Sequence, residues 1–500
     1  MRTPLLAFAL VLSIYPCVSA QTARYDDHQN MMDQLGITQL RPGKNGNPGT
    51  GPGFEEATAN PWKDSMPDPL KMKDGTPVTR PDQWPARRAE ILEDFEREVY
   101  GRVPANVPKV TWEITATTTG ASGGISTVTK YLTGHVDNRA YPQITVNIRA
   151  SFTVPANATG LVPVMFNFGP VAGPPPDTLT AAQAAQVDKL LKTLIIDEDP
   201  AAKDIFDRHP TYKVISGPPG APATAGGAVP WTQLAIAKGW GYGSIDPTSV
   251  QPDNNSLTTA GIIGLTNQGQ PRKPDDWGAL RAWGWGVSQL IDYFAAHPDS
   301  KVNPKKIGID GVSRYGKASL VTEAFDPRVA VALVASSGEG GAKLHRHDFG
   351  EAVENLTGGE YYWMAGNFLK YGAAEPFVKT AADLPVDSHE LIALCAPRPV
   401  FISYGVESAG DPKWVDAHGS FMAGVLAGPV YRLLGKKDFG TPGDYLTDAM
   451  PPVGQLIGGE LAWRQHEGGH TEVPNWPSFF EWVGRYIQAP TSILSATWVN

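Results

Sequence analysis

The stretch "KIGIDGVSRYGKASLVTEAF", Lys306 to Phe325, constrains the fold more than any other part of the chain. A short apolar run, Lys306 to Asp310, passes directly into Gly311-Val-Ser-Arg-Tyr-Gly316 and then into a helix-forming segment. Small residues around Ser313 permit a tight strand-to-helix turn that leaves the serine Oγ exposed at its apex. The following helix then aims its N-terminal dipole and free N–H groups at charge forming beside that oxygen. The spacing is Gly-x-Ser-x-x-Gly, with its second glycine one residue later than in the common G-x-S-x-G elbow. The competing role is a serine that caps a helix between glycines. In an elbow, the backbone N–H of Arg314 faces the oxyanion. Its guanidinium either reaches the same charge or sits in a surface ion pair.

The pattern around this stretch agrees with it. "LVPVMFNFG", "AIAKGWGYGSID", "KIGIDGVS", "VALVASSG" and "PVFISYG" are short apolar runs bounded by turn residues. Helical segments such as "DWGALRAWGWGVSQLIDYFAAHP" separate them, the signature of a parallel sheet covered on both faces. Upstream, "KVTWEITATTT", "STVTKYLTG" and "PQITVNIRASFTVP" alternate apolar and polar residues and predict antiparallel strands. A helix is expected at "PARRAEILEDFEREVYG". Residues 21–85, rich in Pro, Gly, Asn and Asp, read as an extended N-terminal arm with little regular structure. Residues 86–500 then form the main domain, with an insertion at about 173–231.

Late in the chain, "QHEGGHT" (Gln465 to Thr471) admits two chemistries. As H-E-x-x-H it would bind zinc through His466 and His470, with Glu467 as base. That requires a regular helix, yet Gly468 and Gly469 each cost about 1 kcal/mol in a helix interior. Pro474 and Pro477 follow closely, and no third histidine comes after His470. The alternative is a Ser-acid-His triad in the chain order of an α/β-hydrolase. His470 then sits on the loop after the last strand. The acid comes from "PVFISYGVESAGDPKWVD", as Asp411 or Glu407, with Asp411 preferred because it precedes Pro412 and a helix start. Either carboxylate could instead cap that helix. The fold class expected is therefore an α/β-hydrolase, a three-layer α/β/α sandwich. Its central sheet is mostly parallel, with antiparallel N-terminal strands.

Composition narrows the setting. The 500 residues are 41% hydrophobic, and the net charge of −9 offers no basic field to nucleic acid. "MRTPLLAFALVLSIYPCVSA", residues 1–20, reads as a secretory signal peptide cleaved after Ala20, too short in its apolar run for a membrane anchor. Its removal leaves Cys395 as the one cysteine, in the apolar run "LIALCAPRPV", where a buried inert thiol is expected. The product would be periplasmic or secreted, with no membrane partner and a monomer as the default.

With the Ser313 elbow, the Asp411 loop and His470 in place, the sequence resembles the glucuronoyl esterases of carbohydrate esterase family 15. The carrying motif is "GVSRYGK", close to that family's Gly-Cys-Ser-Arg-x-Gly-Lys, with Val312 in place of cysteine. "SSGEGGAKLHR", "LCAPRPVFISYG", "DPKWVDAHGS" and "GGHT" follow in family order, so the resemblance runs from about Trp84 to the C-terminus. It implies cleavage of esters between 4-O-methyl-glucuronic acid on xylan and lignin alcohols, so the partner would be glucuronoxylan or a lignin-carbohydrate ester. By the same resemblance Ser313 is the nucleophile, His470 the base and Arg314 an oxyanion stabiliser, while Lys317, Glu351 and Trp414 hold the glucuronoyl ring. No cofactor or metal is implied. Many fungal members take their acid from the segment that here reads Ala335-Ser-Ser-Gly-Glu-Gly-Gly341. Ser336 stands at that position and Glu339 is out of register, which leaves Asp411 as the expected acid. The missing disulfides fit a bacterial type. Other readings are an acetyl-xylan or general carboxylesterase, a non-catalytic glycan-binding protein, and a zinc hydrolase using "HEGGH".

Overall fold

The alternating segments after Lys109 become a long hairpin. Strands β1 (Val110–Ser122) and β2 (Ile125–Val136) turn at Gly123-Gly124 and continue antiparallel into β3 (Asn147–Pro155). The continuous apolar runs become β4 (Val162–Phe168), β5 (Gly241–Ile245), β6 (Val302–Val312), β7 (Val329–Ala335), β8 (Val400–Tyr404) and β10 (Leu461–Gln465), with β9 (Leu456–Gly458) at the far edge. The computed structural model describes residues 26–46, 53–171, 173, 181–209, 229–376 and 378–490. The candidate signal peptide, residues 1–20, lies outside them. No helix among the described residues is long and apolar enough to cross a membrane.

These ten strands form one sheet in the order β9-β10-β8-β7-β6-β4-β5-β3-β2-β1. The segment β10-β8-β7-β6-β4-β5 pairs in parallel, and the antiparallel strands attach at both ends. Parallel strands require crossovers, and the helices that make them cover the sheet. They include α3 (Ala279–Ala296), α4 (Arg314–Phe325), α5 (Ser388–Cys395) and α6 (Ala417–Leu433), with α7 (Trp476–Val483) after the last strand. The Trp-rich segment of α3 faces inward: Trp283 and Trp285 are buried, as is Trp277 just ahead of the helix, so it is core and not a sugar platform. Cys395 is buried and unpaired, and burial pushes its thiol well above the usual range.

Two local expectations change. The first half of "AIAKGWGYGSID" is the end of a helix, Trp231–Ala237, and only Gly241–Ile245 is strand. A run of apolar residues ending in Lys-Gly is equally compatible with a short helix and its exit, so periodicity alone does not decide it. The N-terminal arm also holds more regular structure than its composition suggests. It contains α1 (Asp27–Leu35), ahead of α2 (Trp84–Glu98), and a two-residue strand, Gln39–Leu40, paired with Ala373–Glu375. Between β4 and β5 the chain forms helices Ala181–Glu198 and Ala202–Arg208.

The reason α1 forms is partly tertiary. Asp26 caps it by accepting from the Gln29 N–H, and Gly36 closes it in the left-handed conformation. Asp27 then makes a bidentate pair with the wholly buried Arg272, Nη2 to Oδ2 at 2.8 Å. Removing one partner of such a pair strands a buried charge and costs about 3–5 kcal/mol. Asp27→Ala should lower the urea midpoint accordingly, whereas Asp33→Ala, on the exposed face of the same helix, should leave it nearly unchanged.

Candidate active site

Strand β6 ends at Val312, and Ser313 stands alone between strand and helix with φ 61° and ψ −128°. Non-glycine residues seldom occupy such a conformation, and the surroundings must over-determine it. Two hydrogen bonds do so. The Ser313 N–H donates to the Ala335 carbonyl on β7 at 2.9 Å, and the Ser313 carbonyl accepts from the Lys317 N–H at 3.0 Å. The late second glycine is explained by the same crossing. A Cβ on Gly316 would lie 2.4 Å from the Ala335 carbonyl oxygen, so the first turn of α4 reaches β7 only if residue 316 has no side chain. The contact falls at position 316, which is why the glycine does not stand at 315.

The histidine and acid loops meet on the neighbouring strands. His470 Nδ1 lies 2.7 Å from Asp411 Oδ1, and Asp411 is buried while His470 is one-third exposed. The other Asp411 oxygen accepts from the Gly405 N–H at 2.6 Å and from Ser336 Oγ at 2.7 Å. With Nδ1 engaged by the acid, Nε2 is the ring nitrogen available for proton transfer. The two loops are joined through backbone: the Val406 N–H donates to the Gly468 carbonyl, and a Cβ on Gly469 would lie 2.2 Å from the Ala409 carbonyl oxygen. Residues 467–470 form a bend after β10 and not a helix, so His466 and His470 do not share the helical face that the zinc reading needs. His466 is buried and its Nδ1 accepts from the Gly468 N–H.

The rival acids are occupied or remote. Glu407 is largely exposed, 3.7 Å from Lys413 Nζ. Glu339 is fully buried against Lys343, at 2.8 Å, and His345. Ser336 sits in left-handed backbone at φ 41°, with its hydroxyl on Asp411.

The ring-binding candidates also come together, joined by further residues from separate loops. Lys317, on α4 one turn past Ser313, is buried and donates to Glu351 Oε2 at 2.7 Å and to the Ser337 carbonyl at 2.8 Å. It is therefore not a solvated helix residue. Arg314 pairs with Asp253 at 2.7 Å, and Asp253 also accepts from Tyr362 and Trp363. Both cations lie over the Trp363 ring, Arg314 at 5.2 Å and Lys317 at 5.6 Å from its centroid. Glu360 completes the cluster: burial and the neighbouring Glu351 charge push its carboxyl up to about 7, against the pull of Lys317 and Arg314. Trp414 is half-buried, its carbonyl accepting from the Glu351 N–H at 2.9 Å and its ring 6.5 Å from that of Phe54 on the arm.

Asp253, Glu360 and Trp363 carry no spacing signal; only the fold brings them to Arg314 and Lys317. A carboxylate directly before an aromatic triplet ("EYYW") is the one hint in the sequence.

A strand-to-helix serine elbow on a mostly parallel sheet, with a His-Asp pair on later loops, defines the α/β-hydrolase class. Comparison with known proteins narrows it. The family model described as "Glucuronyl esterase, fungi" matches residues 272–435. A relative named carbohydrate esterase MZ0003, from an unknown prokaryotic organism, is 30% identical over 440 residues, covering 87% of this chain and 92% of its own. The 4-O-methyl-glucuronoyl methylesterase 1 of Wolfiporia cocos is 26% identical over 78% of this chain and 76% of its own. The solved structure of a CE15 glucuronoyl esterase from Teredinibacter turnerae superposes with a TM-score of 0.74 at 36% identity, covering 92% of this chain and 98% of that one. The chain belongs to carbohydrate esterase family 15, the glucuronoyl esterases.

Proposed function

We propose that this esterase hydrolyses the ester between 4-O-methyl-glucuronic acid on glucuronoxylan and a lignin alcohol through a Ser313-His470-Asp411 acyl-enzyme mechanism. Ser313 Oγ attacks the uronate carbonyl as His470 Nε2 takes its proton. Asp411 fixes the tautomer and orientation of His470 and stabilises the imidazolium that forms. The first N–H groups of α4, that of Arg314 included, and the Arg314 guanidinium stabilise the tetrahedral oxyanion. His470 returns the proton to the departing alcohol. Water then attacks the acyl-enzyme by the same route, releasing glucuronate and restoring the Ser313 hydroxyl. Every step is a proton transfer or an acyl transfer.

The observation that carries the substrate assignment is the buried Lys317-Glu351 pair beside the elbow, with Glu360 and Trp414 near it. A plain carboxylesterase that accepts apolar acyl groups has no use for a buried cation and two carboxylates one helical turn from its nucleophile. Sugar hydroxyls do, because charge-assisted hydrogen bonds are the strong ones. The uronate reading also puts the enzyme where xylan is, in the periplasm or outside the cell, consistent with the signal-like residues 1–20; a monomer suffices for the chemistry.

The test is turnover of benzyl glucuronate against a matched acetyl ester. The glucuronate should be strongly preferred, and equal or better turnover of the acetyl ester would defeat the assignment. Lys317→Gln should lose about 1.5–3 kcal/mol of transition-state binding, roughly 10- to 150-fold in kcat/KM on the glucuronate ester. The same variant should change acetyl-ester turnover little, with a melting curve confirming that the fold survives.

A further inference from the structure

A second cluster of ligand-type side chains lies outside the elbow. Glu56 comes from the N-terminal arm, His347 from the loop after β7, and His418 from the first turn of α6. One donor atom from each lies within 4.8 Å of the other two. Glu56 Oε1 is 3.2 Å from His347 Nε2 and 2.6 Å from His418 Nδ1, so two imidazoles from distant parts of the chain converge on one carboxylate oxygen.

His347 is the informative member. It is fully buried, and its Nδ1 lies 2.6 Å from Oδ2 of Asp416, itself buried. Both ring nitrogens thus face carboxylate oxygens. A neutral imidazole has one N–H and can satisfy only one of them. If Nδ1–H is donated to Asp416, Nε2 presents a lone pair to Glu56, and a positive charge must lie between them. A carboxylate behind the histidine, holding Nδ1–H so that Nε2 faces outward, is the outer-shell arrangement typical of metal-ligating histidines.

We propose that Glu56, His347 and His418 bind a divalent transition-metal ion of the zinc type, with Asp416 orienting His347. Two imidazoles and one carboxylate suit zinc and its neighbours and not calcium or magnesium, which take oxygen ligands. Metal–ligand lengths of about 2.0–2.1 Å put tetrahedral donor atoms roughly 3.3 Å apart. The Glu56-His347 contact already has that separation. The Glu56-His418 contact reaches it if Glu56, half exposed, withdraws by less than ~1 Å. Binding exchanges the proton held between ligands for the ion. Glu56 and His418 border a cavity of about 150 Å³ that is lined also by Asp411 and Tyr404. The ion would therefore fasten the N-terminal arm to the segment that carries Asp411 and Trp414. It takes no part in ester hydrolysis, and this inference stands whether or not the glucuronate assignment does.

The experiment uses the full chain without a histidine tag, stripped by chelator and titrated with Co²⁺ followed by visible absorption, then with Zn²⁺ in competition. Wild type should take up one equivalent of Co²⁺ with the ligand-field bands of a four- or five-coordinate site, and Zn²⁺ should displace it and raise the melting temperature. Glu56→Gln and His418→Gln, both at partly exposed positions where the fold should tolerate them, should each weaken binding by at least ~10-fold and abolish the Zn²⁺-dependent rise. Absence of a bound equivalent in wild type, or uptake undiminished in both variants, overturns the site; the second result would point to ion binding elsewhere, such as His466 and His470.

Discussion

Ser313→Ala should abolish hydrolysis of benzyl glucuronate, with kcat falling by about five to six orders of magnitude. The size follows from what is removed. Without Oγ there is no acyl-enzyme, and what survives is the contribution of the oxyanion donors and substrate binding, roughly 10³–10⁴ over water. The substitution is clean in structural terms. Serine and alanine share the Cβ that makes φ 61° unfavourable, so the strain at the turn is neither relieved nor increased, and the backbone bonds to Ala335 and Lys317 remain. Wild-type turnover should persist in the presence of chelator, because no proposed step passes through an ion. The opposite pair of results, activity kept in Ser313→Ala and lost on chelation, would defeat the serine mechanism and return "HEGGH" to consideration as a zinc motif. The bend at residues 467–470 and the His470-Asp411 bond argue against that outcome.

The parts of this fold that are legible in sequence are those set by local chemistry. A strand entering a helix through Gly-Val-Ser-Arg-Tyr-Gly has few alternatives, and β6, Ser313 and α4 stand where the spacing predicts them. Two glycines inside "HEGGH" make a helix costly, and no helix forms there. Alternation of apolar runs with helical segments likewise foretells the parallel sheet, and period-two alternation the hairpin of β1 and β2. What is hidden depends on distance in sequence. Nothing near Asp27 announces Arg272, 245 residues away, yet that pair anchors α1 within an arm whose composition argues for irregular chain. Asp253 and Trp363 acquire their places around Arg314 only through the packing of separate loops. The register of the second elbow glycine is visible as an anomaly but not as a consequence, because its cause is a carbonyl on the adjacent strand.

Asp411→Asn should lower kcat by about 10⁴-fold with the fold intact, whereas Glu407→Gln should leave turnover unchanged. The difference comes from what a carboxylate does behind a catalytic histidine. It accepts the Nδ1–H, which leaves Nε2 as the base, and it stabilises the imidazolium during attack. An asparagine presents either an N–H or an amide oxygen to Nδ1, favours the wrong tautomer in the first case, and offers no charge in either. Burial strengthens the effect, since Asp411 lies in low-dielectric surroundings with both oxygens engaged, Oδ1 by His470 and Oδ2 by Gly405 and Ser336. Glu407, exposed and facing Lys413, has none of these contacts. The Ser336 hydroxyl gives the assignment a graded check. Ser336→Ala removes one donor to Oδ2 and keeps the other, so it should cost about 1 kcal/mol, roughly fivefold in kcat, without altering KM. A Ser336→Ala loss as large as that of Asp411→Asn would mean that the serine acts directly in the reaction and not through the acid. Full activity in Asp411→Asn would instead move the acid to another carboxylate altogether, and kcat against pH for the two variants separates these cases.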